Sequence, residues 1–209
     1  MVASVQELMA QQAVAAVKVT GAHHSSWNGS VTELPVDDPR RGVVGPDQSL
    51  RYHPVSVIAV LQDMFDRAGQ QRDLETLKAY RQALRAVFHE NIHLLAAAGT
   101  SYASALDAYY RPANQVLEEA VTELHTQNAL DDYIDELGLE AIAPGIKAVR
   151  TEPEYQEYLP AAKNFSQALG SRAKLSGAKV IHRIAVVNAA EKFRVAASGS
   201  RQPCARPLP

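Results

Sequence analysis

Apolar residues recur every three or four positions along most of this chain, which is the spacing of an amphipathic helix. The pattern predicts helices at about 4–18, 54–69, 74–98, 112–128, 131–137, 139–150, 152–170 and 174–197. Ser4 can cap the first of these, and Pro54 and Pro112 each open one from a first-turn position. Pro160 lies inside the 152–170 segment, so we expect a kink or a break there.

Two stretches between the first two helices favour short strands. Residues 30–34 alternate between apolar and polar side chains and follow the turn pair Asn28-Gly29, and residues 42–52 favour another extended segment. Val17–Thr20 also alternates and could pair across the same turn. The expected fold class is therefore α+β, predominantly helical, with a small N-terminal β-sheet.

The pattern also predicts the organisation of the chain. We expect a core over residues 1–130, a helical C-terminal subdomain over 131–197 and a disordered tail over 198–209. The tail lacks the apolar residues that a packed segment needs.

Composition narrows the choice of partners and compartment. The 209 residues are 46% hydrophobic and 21% charged, which is ordinary for a globular chain that can form a core. A net charge of −2 gives no reason to expect nucleic acid or an anionic membrane as a partner. Cys204 is the single cysteine, which excludes a cysteine-based zinc site and fits a reducing compartment. We see neither a signal peptide nor an apolar run near the ~20 residues of a membrane span. The expected location is cytoplasmic, with secretion of an effector without a recognisable signal left open.

The most informative stretch is 87–95, Val-Phe-His-Glu-Asn-Ile-His-Leu-Leu, which places an H-E-x-x-H motif inside a helical pattern. His89 and His93 then lie one turn apart on the same face, where both imidazoles can bind one tetrahedral Zn²⁺. Glu90 is angled to reach a water molecule activated by that metal. The motif therefore predicts a zinc site, and the alternative is a helix that carries these three residues by chance.

A catalytic zinc site needs a third protein ligand and one open position. The candidates downstream of the motif are Asp107, Glu118, Glu119, Glu123 and His125. Glu119 and Glu123 are four residues apart and share a helix face. One carboxylate could bind the metal while the other accepts the free N–H of a ligating histidine. The alternative is a solvated acidic face.

An H-E-x-x-H motif followed by a helix that carries Glu-Ala-Val-Thr-Glu resembles the gluzincin metallopeptidases, the thermolysin-like class. The resemblance covers only about residues 87–124. The roles that it implies are metal ligands for His89, His93 and Glu119, general base for Glu90, and orientation of a ligating histidine for Glu123. It also implies a zincin-like catalytic core with a small sheet, whose edge strand binds substrate in extended form and could include residues 42–52.

The chain departs from the family pattern at two positions on the glutamate helix. Glu118 stands where the family usually has asparagine, so the choice between Glu118 and Glu119 as third ligand stays open. Glu123 replaces the more usual aspartate and is one methylene longer.

The family's transition-state histidine has no recognisable counterpart here. Tyr110 lies shortly before the Glu119 helix, and a phenol can stabilise negative charge on a carbonyl oxygen, so it is our candidate for a catalytic role. Tyr109 and Tyr102 are weaker candidates, and packing against the core is the alternative for all three. His125 and His182 are further candidates for a polarising group, although ordinary surface or core histidines are the more common case.

These features predict a zinc-dependent metallopeptidase, a hydrolase that cuts peptide or protein substrates with Glu90 as general base. One alternative is a zinc-dependent hydrolase or lyase that acts on a small molecule. Another is a non-catalytic helical interaction module with a vestigial site. A groove beside a strand edge would favour peptides, whereas a small closed pocket would favour small molecules.

Overall fold

The computed structural model describes residues 1–198, and the predicted tail beyond Ser198 lies outside the described residues. The described part is α+β and mostly helical, as the sequence predicts. Its helices are α1 (Val5–Thr20), α2 (Val60–Asp66, preceded by a π-helical segment at Pro54–Ala59), α3 (Leu74–His93), α4 (Tyr102–Tyr109), α5 (Pro112–Leu137), α6 (Leu139–Ile142), α7 (Leu159–Ala173), α8 (Gly177–Ala185) and α9 (Lys192–Ser198). No helix among residues 1–198 has both the length and the apolar composition that crossing a membrane requires.

The strands are short and form two small sheets. They are β1 (His24–Ser25), β2 (Val31–Glu33), β3 (Gly42–Val44), β4 (Leu50–Tyr52) and β5 (Leu95–Ala96). One sheet has the order β2–β4–β3, with β2 parallel and β3 antiparallel to β4, and the other pairs β1 with β5 in antiparallel fashion. The strand predicted at 30–34 is confirmed, and the extended segment 42–52 is a hairpin of β3 and β4. Strand β3 is therefore an edge strand of its sheet.

Helices α3 and α5 form the centre of the core. Asp73 caps α3 by accepting the backbone N–H of Thr76 at 2.8 Å. The fully buried ring of Phe88 on α3 stacks on that of Tyr133 on α5, with ring centroids 4.3 Å apart. Burying such a ring stabilises the fold by about 1.5–3 kcal/mol. The two helices that carry the predicted site residues are thus held face to face.

Helix α1 covers the other side of this pair. Ser4 caps it as predicted, by accepting the N–H of Glu7 at 3.1 Å. The strand considered for Val17–Thr20 is wrong, because these residues form the last turn of α1, which ends at Gly21 with a left-handed backbone (φ +65°).

Helix α3 ends at His93, five residues before the predicted end at 98. Leu95–Ala96 instead pairs with β1, and the backbone N–H of Ser26 donates to the carbonyl of Leu94 at 2.8 Å. The backbone therefore leaves the helix directly after the second histidine of the motif, because a strand partner satisfies the hydrogen bonds that another turn would have made.

Helix α5 is continuous from Pro112 to Leu137, so the break predicted between residues 128 and 131 is wrong. Ala129 and Leu130 are buried in that stretch and continue the packing face, and no glycine or proline interrupts it. The division that we expected at residue 130 falls inside this helix.

The C-terminal helices are shorter than predicted. Leu139–Ile142 alone is helical in the 139–150 segment, and α7 begins only at Leu159. The break predicted at Pro160 is confirmed, because residues 152–158 are not helical and the proline lies in the first turn of α7, where it is compatible with a helix. The helix predicted at 174–197 is divided into α8, which packs against α5 and α7, and α9, which packs against α8.

Candidate metal centre

The structure brings His89, His93 and Glu119 together between α3 and α5. The Nε2 atoms of the two histidines are 3.1 Å apart, and Oε2 of Glu119 lies 3.3 Å from the first and 3.4 Å from the second. Among residues 1–198 these form the only cluster of three His, Cys, Asp or Glu side chains whose donor atoms all lie within 4.8 Å of one another. The side chains could therefore hold one metal ion.

The spacing of the three atoms fits zinc. Ligands at about 2.0–2.2 Å from a tetrahedral Zn²⁺ are about 3.3–3.6 Å apart, close to the observed separations. Two histidines and one glutamate are also a donor set of catalytic zinc sites, in which a fourth position stays open. His93 and Glu119 also line a cleft of about 360 Å³, so a metal held by the three side chains would be next to this cleft.

The two neighbouring glutamates face different atoms of the histidine rings. Glu119 points at the Nε2 atoms of both histidines, whereas Oε1 of Glu118 lies 2.9 Å from Nδ1 of His93, the ring atom on the far side. Glu118 therefore accepts the Nδ1–H of His93, which leaves Nε2 of that ring free to bind a cation.

Glu123 stands behind the other histidine, as the sequence predicts. Its Oε2 is 3.2 Å from Nδ1 of His89, in a geometry too bent for a good hydrogen bond. A terminal nitrogen of Arg85 lies 2.8 Å from both Glu123 oxygens, and the other contacts Glu154 at 2.5 Å. Arg85 and Glu123 are both buried, where an unpaired carboxylate would be costly, and Arg85 neutralises the charge of Glu123.

The charges of the centre also fit a divalent cation. Four carboxylates, those of Glu90, Glu118, Glu119 and Glu123, surround the histidines, and two buried cations, Arg85 and Lys192, accompany them. The remaining charge of −2 can be balanced by one divalent metal ion or by protons on the two histidines.

Without a metal, the structure favours protons on both histidine rings. Burial lowers the pKa of His89, but the neighbouring carboxylates of Glu119 and Glu123 outweigh it and raise the pKa to about 9. Burial also lowers the pKa of His93, but Glu119 and Glu118 outweigh it and raise this pKa well above the usual value. The pKa of Glu119 is lowered, since the two histidines outweigh its burial. A cation is thus strongly favoured at the point where the three side chains meet.

Glu90 occupies the wall of the cleft beside the edge strand β3. A Cβ atom on Gly42 would lie 2.6 Å from Cγ of Glu90, so the glycine is what allows the side chain to rest against the strand. Burial raises the pKa of Glu90, and the two motif histidines oppose that rise. A carboxylate with a raised pKa is better suited to accept and return a proton near neutral pH.

Four tyrosines line the cleft, among them the three that the sequence analysis named. Tyr110 lines the cleft but is 71% exposed, whereas the hydroxyl of Tyr109 donates to Oε1 of Glu119 at 2.6 Å. Tyr155, which the sequence analysis did not single out, lines the cleft and stacks on His89 with ring centroids 5.7 Å apart. Its backbone is left-handed (φ +52°), an uncommon conformation for a non-glycine residue that clusters at functional sites. Tyr102 lines the cleft and donates to the carbonyl of Gly45.

His125 and His182 lie outside this centre. Their rings meet edge to face between α5 and α8, with centroids 5.2 Å apart, and neither lines the cleft. Burial, with His182 nearby, lowers the pKa of His125 to about 4. The pair packs helices together and does not reach the predicted metal.

Sequence reasoning missed Arg85, Gly42, Tyr155 and Lys192. Of these, only Arg85 carried a local signal, since it precedes His89 by four residues and so shares its helix face.

Comparisons of the chain with protein-family models, with curated proteins and with solved structures find no match. Its function is therefore inferred from the site itself.

Proposed function

We propose that this chain is a zinc-dependent metallopeptidase of the gluzincin type, with a zincin-like arrangement of edge strand, motif helix and glutamate helix. The observation that carries the proposal is the meeting of His89, His93 and Glu119 at the base of a cleft, with Glu90 beside them. In this assignment, the first three residues hold zinc and Glu90 is the general base.

Zinc bound at this position would lower the pKa of a coordinated water and polarise a substrate carbonyl. Glu90 takes a proton from the attacking water on a carboxylate oxygen and delivers it to the nitrogen of the leaving amine as the C–N bond breaks. Glu118 and Glu123 hold the imidazole rings from behind. Tyr109 donates to the metal-facing Glu119, so we assign it to positioning and replace Tyr110 by Tyr155 as the candidate near the reacting carbonyl.

A peptide is the substrate class that the cleft favours. Strand β3 is an edge strand, paired only with β4 among the described residues, and Gly42, Val43 and Val44 all line the cleft. Its free backbone groups can pair with an extended peptide, which places a peptide carbonyl next to Glu90. A compact substrate would leave these backbone groups without partners, so a small molecule is the less favoured alternative.

The test begins with metal content. Purified wild-type protein should carry about one zinc ion per chain after dialysis against zinc, and His89→Ala should carry far less. Glu90→Gln should bind zinc like the wild type, since Glu90 is not a ligand. The measurement is metal analysis by mass spectrometry, with circular dichroism to show that each variant is folded.

Turnover is then measured on reduced casein, an unstructured protein that offers many sequences, with new peptide termini identified by mass spectrometry. Loss of the general base should lower the cleavage rate of Glu90→Gln by about 10²–10⁴-fold. Zinc-loaded wild type that leaves casein intact, or Glu90→Gln that cuts it at the wild-type rate, would contradict the proposal.

A further inference from the structure

A lysine from the end of the described chain is buried directly behind the candidate metal centre. Lys192 opens α9, is only 1% exposed and places its ammonium group 3.4 Å from Oε2 of Glu118. The same ammonium donates to the carbonyl of Ile184 at 3.2 Å, near the end of α8. It therefore links the last two helices to a carboxylate of α5.

Glu118 carries this link onward to a metal-binding residue. It is 2% exposed, and its other oxygen, Oε1, accepts the Nδ1–H of His93 at 2.9 Å. Lys192 and His93 thus contact opposite oxygens of one buried carboxylate. An ordered chain runs from the backbone of α8 through Lys192 and Glu118 to the ring whose Nε2 faces the candidate metal position.

We propose that Lys192 is a positioning residue of the metal centre, and that docking of α8 and α9 is energetically coupled to metal binding. The proposal rests on the metal-binding half of the proposed function and does not require the chain to be a peptidase. It gives the C-terminal helices a role in regulating the occupancy of the site.

The physical reason is the cost of a buried charge. A carboxylate as deeply buried as Glu118 is strongly destabilised when its cationic partner is removed. Without Lys192, the carboxylate is no longer held against Nδ1 of His93, and the ring loses its fixed orientation. Groups that orient a ligating histidine typically change metal affinity by 10- to 100-fold.

Stability alone does not account for a lysine in this place. A buried ion pair often stabilises a fold no more than well-packed apolar residues of the same volume. Coupling between two sites is also reciprocal, so a helix pair that favours metal binding must itself be favoured by the metal. Zinc should therefore tighten the docking of residues 177–198.

The first measurement is zinc affinity, obtained by competition with a chromophoric chelator. Lys192→Met and Lys192→Gln, which remove the charge while keeping most of the side-chain length, should weaken zinc binding by about tenfold. Lys192→Arg keeps the charge and should recover most of the affinity. Lys179→Met is the matched control, because Lys179 is exposed on α8 and its removal should leave the affinity unchanged.

A double-mutant cycle with Glu118→Gln separates positioning from packing. If Lys192 acts through the carboxylate, Lys192→Met weakens zinc binding in the wild-type background and has little effect in the Glu118→Gln background. An equal loss in both backgrounds would mean that Lys192 only packs α9, and the proposal would be overturned.

Hydrogen exchange tests the reciprocal effect. Zinc should slow exchange of the backbone amides of residues 177–198 in the wild type, and this added protection should be reduced in Lys192→Gln. A wild type that binds no zinc refutes the proposed metal site itself. A wild type that binds zinc, with full affinity and full protection retained in Lys192→Gln, refutes only the role of Lys192.

Discussion

The two histidines of the candidate centre are supported in the same way from opposite sides, but by different parts of the molecule. Behind His89 stand Glu123 and then Arg85, which belongs to the same helix as His89 itself. Behind His93 stand Glu118 and then Lys192, which comes from the last described helix. Each support is therefore an imidazole, a buried carboxylate and a buried cation.

The tight link lies at a different point in each support. Arg85 holds Glu123 at 2.8 Å, but the contact of Glu123 with His89 is bent at 3.2 Å. On the other side Glu118 holds His93 at 2.9 Å, but Lys192 approaches the carboxylate only to 3.4 Å. On the His89 side the shorter contact is therefore between carboxylate and cation, whereas on the His93 side it is between carboxylate and histidine.

The origin of the cation shows which half of the centre depends on contacts between distant segments. Arg85 and His89 are four residues apart, so forming α3 already places them on one face. Lys192 reaches Glu118 only when α8 packs against α5 and α9 packs against α8. The His89 side should therefore resist perturbation of the C-terminal helices, and the His93 side should not.

The largest expected effect comes from removing the cation of the His89 side. Arg85→Met leaves Glu123 buried without its partner and should lower the free energy of unfolding by about 3–5 kcal/mol, measured by urea denaturation without metal. Arg81→Met is the matched control on the same helix, because its partner Asp131 is 40% exposed and can be solvated when the arginine is lost. Equal losses in the two variants would show that burial of the pair does not matter.

The next effect on stability is expected when a rise in pH removes the protons of His89 and His93. The folded-state pKa of His89 is raised to about 9 from its ordinary value of 6.5, and that of His93 is also raised. The resulting stability is complete below pH ~6.5 and is lost as the pH rises through the folded-state pKa. The free energy of unfolding of the metal-free protein should therefore fall between pH ~6.5 and ~9, by about 3 kcal/mol for the proton of His89, since one pKa unit corresponds to about 1.4 kcal/mol.

Zinc provides the control for this pH dependence. Because the cation takes the place of the histidine protons, saturating zinc should remove most of the fall, as measured by urea denaturation at pH 7 and pH 9. A metal-free protein that is equally stable at both pH values would contradict the assignment of protonated histidines.

The smallest effect is expected at the outer edge of the His89 side. Arg41 contacts Glu154 at 3.0 Å, but both side chains are more than a third exposed, and Arg85 also holds Glu154. Solvent screening limits such a pair, so Arg41→Ala should cost less than about 1 kcal/mol of unfolding free energy, and the difference should shrink in 1 M salt. If Arg41→Ala lowered the free energy of unfolding as much as Arg85→Met does, the exposed pair and not the buried one would stabilise the His89 side.

The sequence predicted those parts of the fold and site that depend on local geometry. Helical periodicity placed α3 and much of α5, and the spacing of His89 with His93 and of Glu119 with Glu123 follows from 3.6 residues per turn. Where it failed, long-range contacts decided. Pairing with β1 ends α3 after His93, and packing of Ala129 and Leu130 carries α5 past its expected end.

Only the tertiary structure distinguished Glu118 from Glu119. Neighbouring residues on a helix point about 100° apart, so the carboxylate that faces the histidines depends on the rotation of α5 about its axis, which packing against α3 sets. The same holds for Tyr155, Gly42 and Lys192, which reach the centre from distant segments. By itself, the sequence determined which donor groups share a helix face, because that geometry is local. Which of those groups meet one another, and which cation neutralises each, was decided by the packing of segments far apart in the chain.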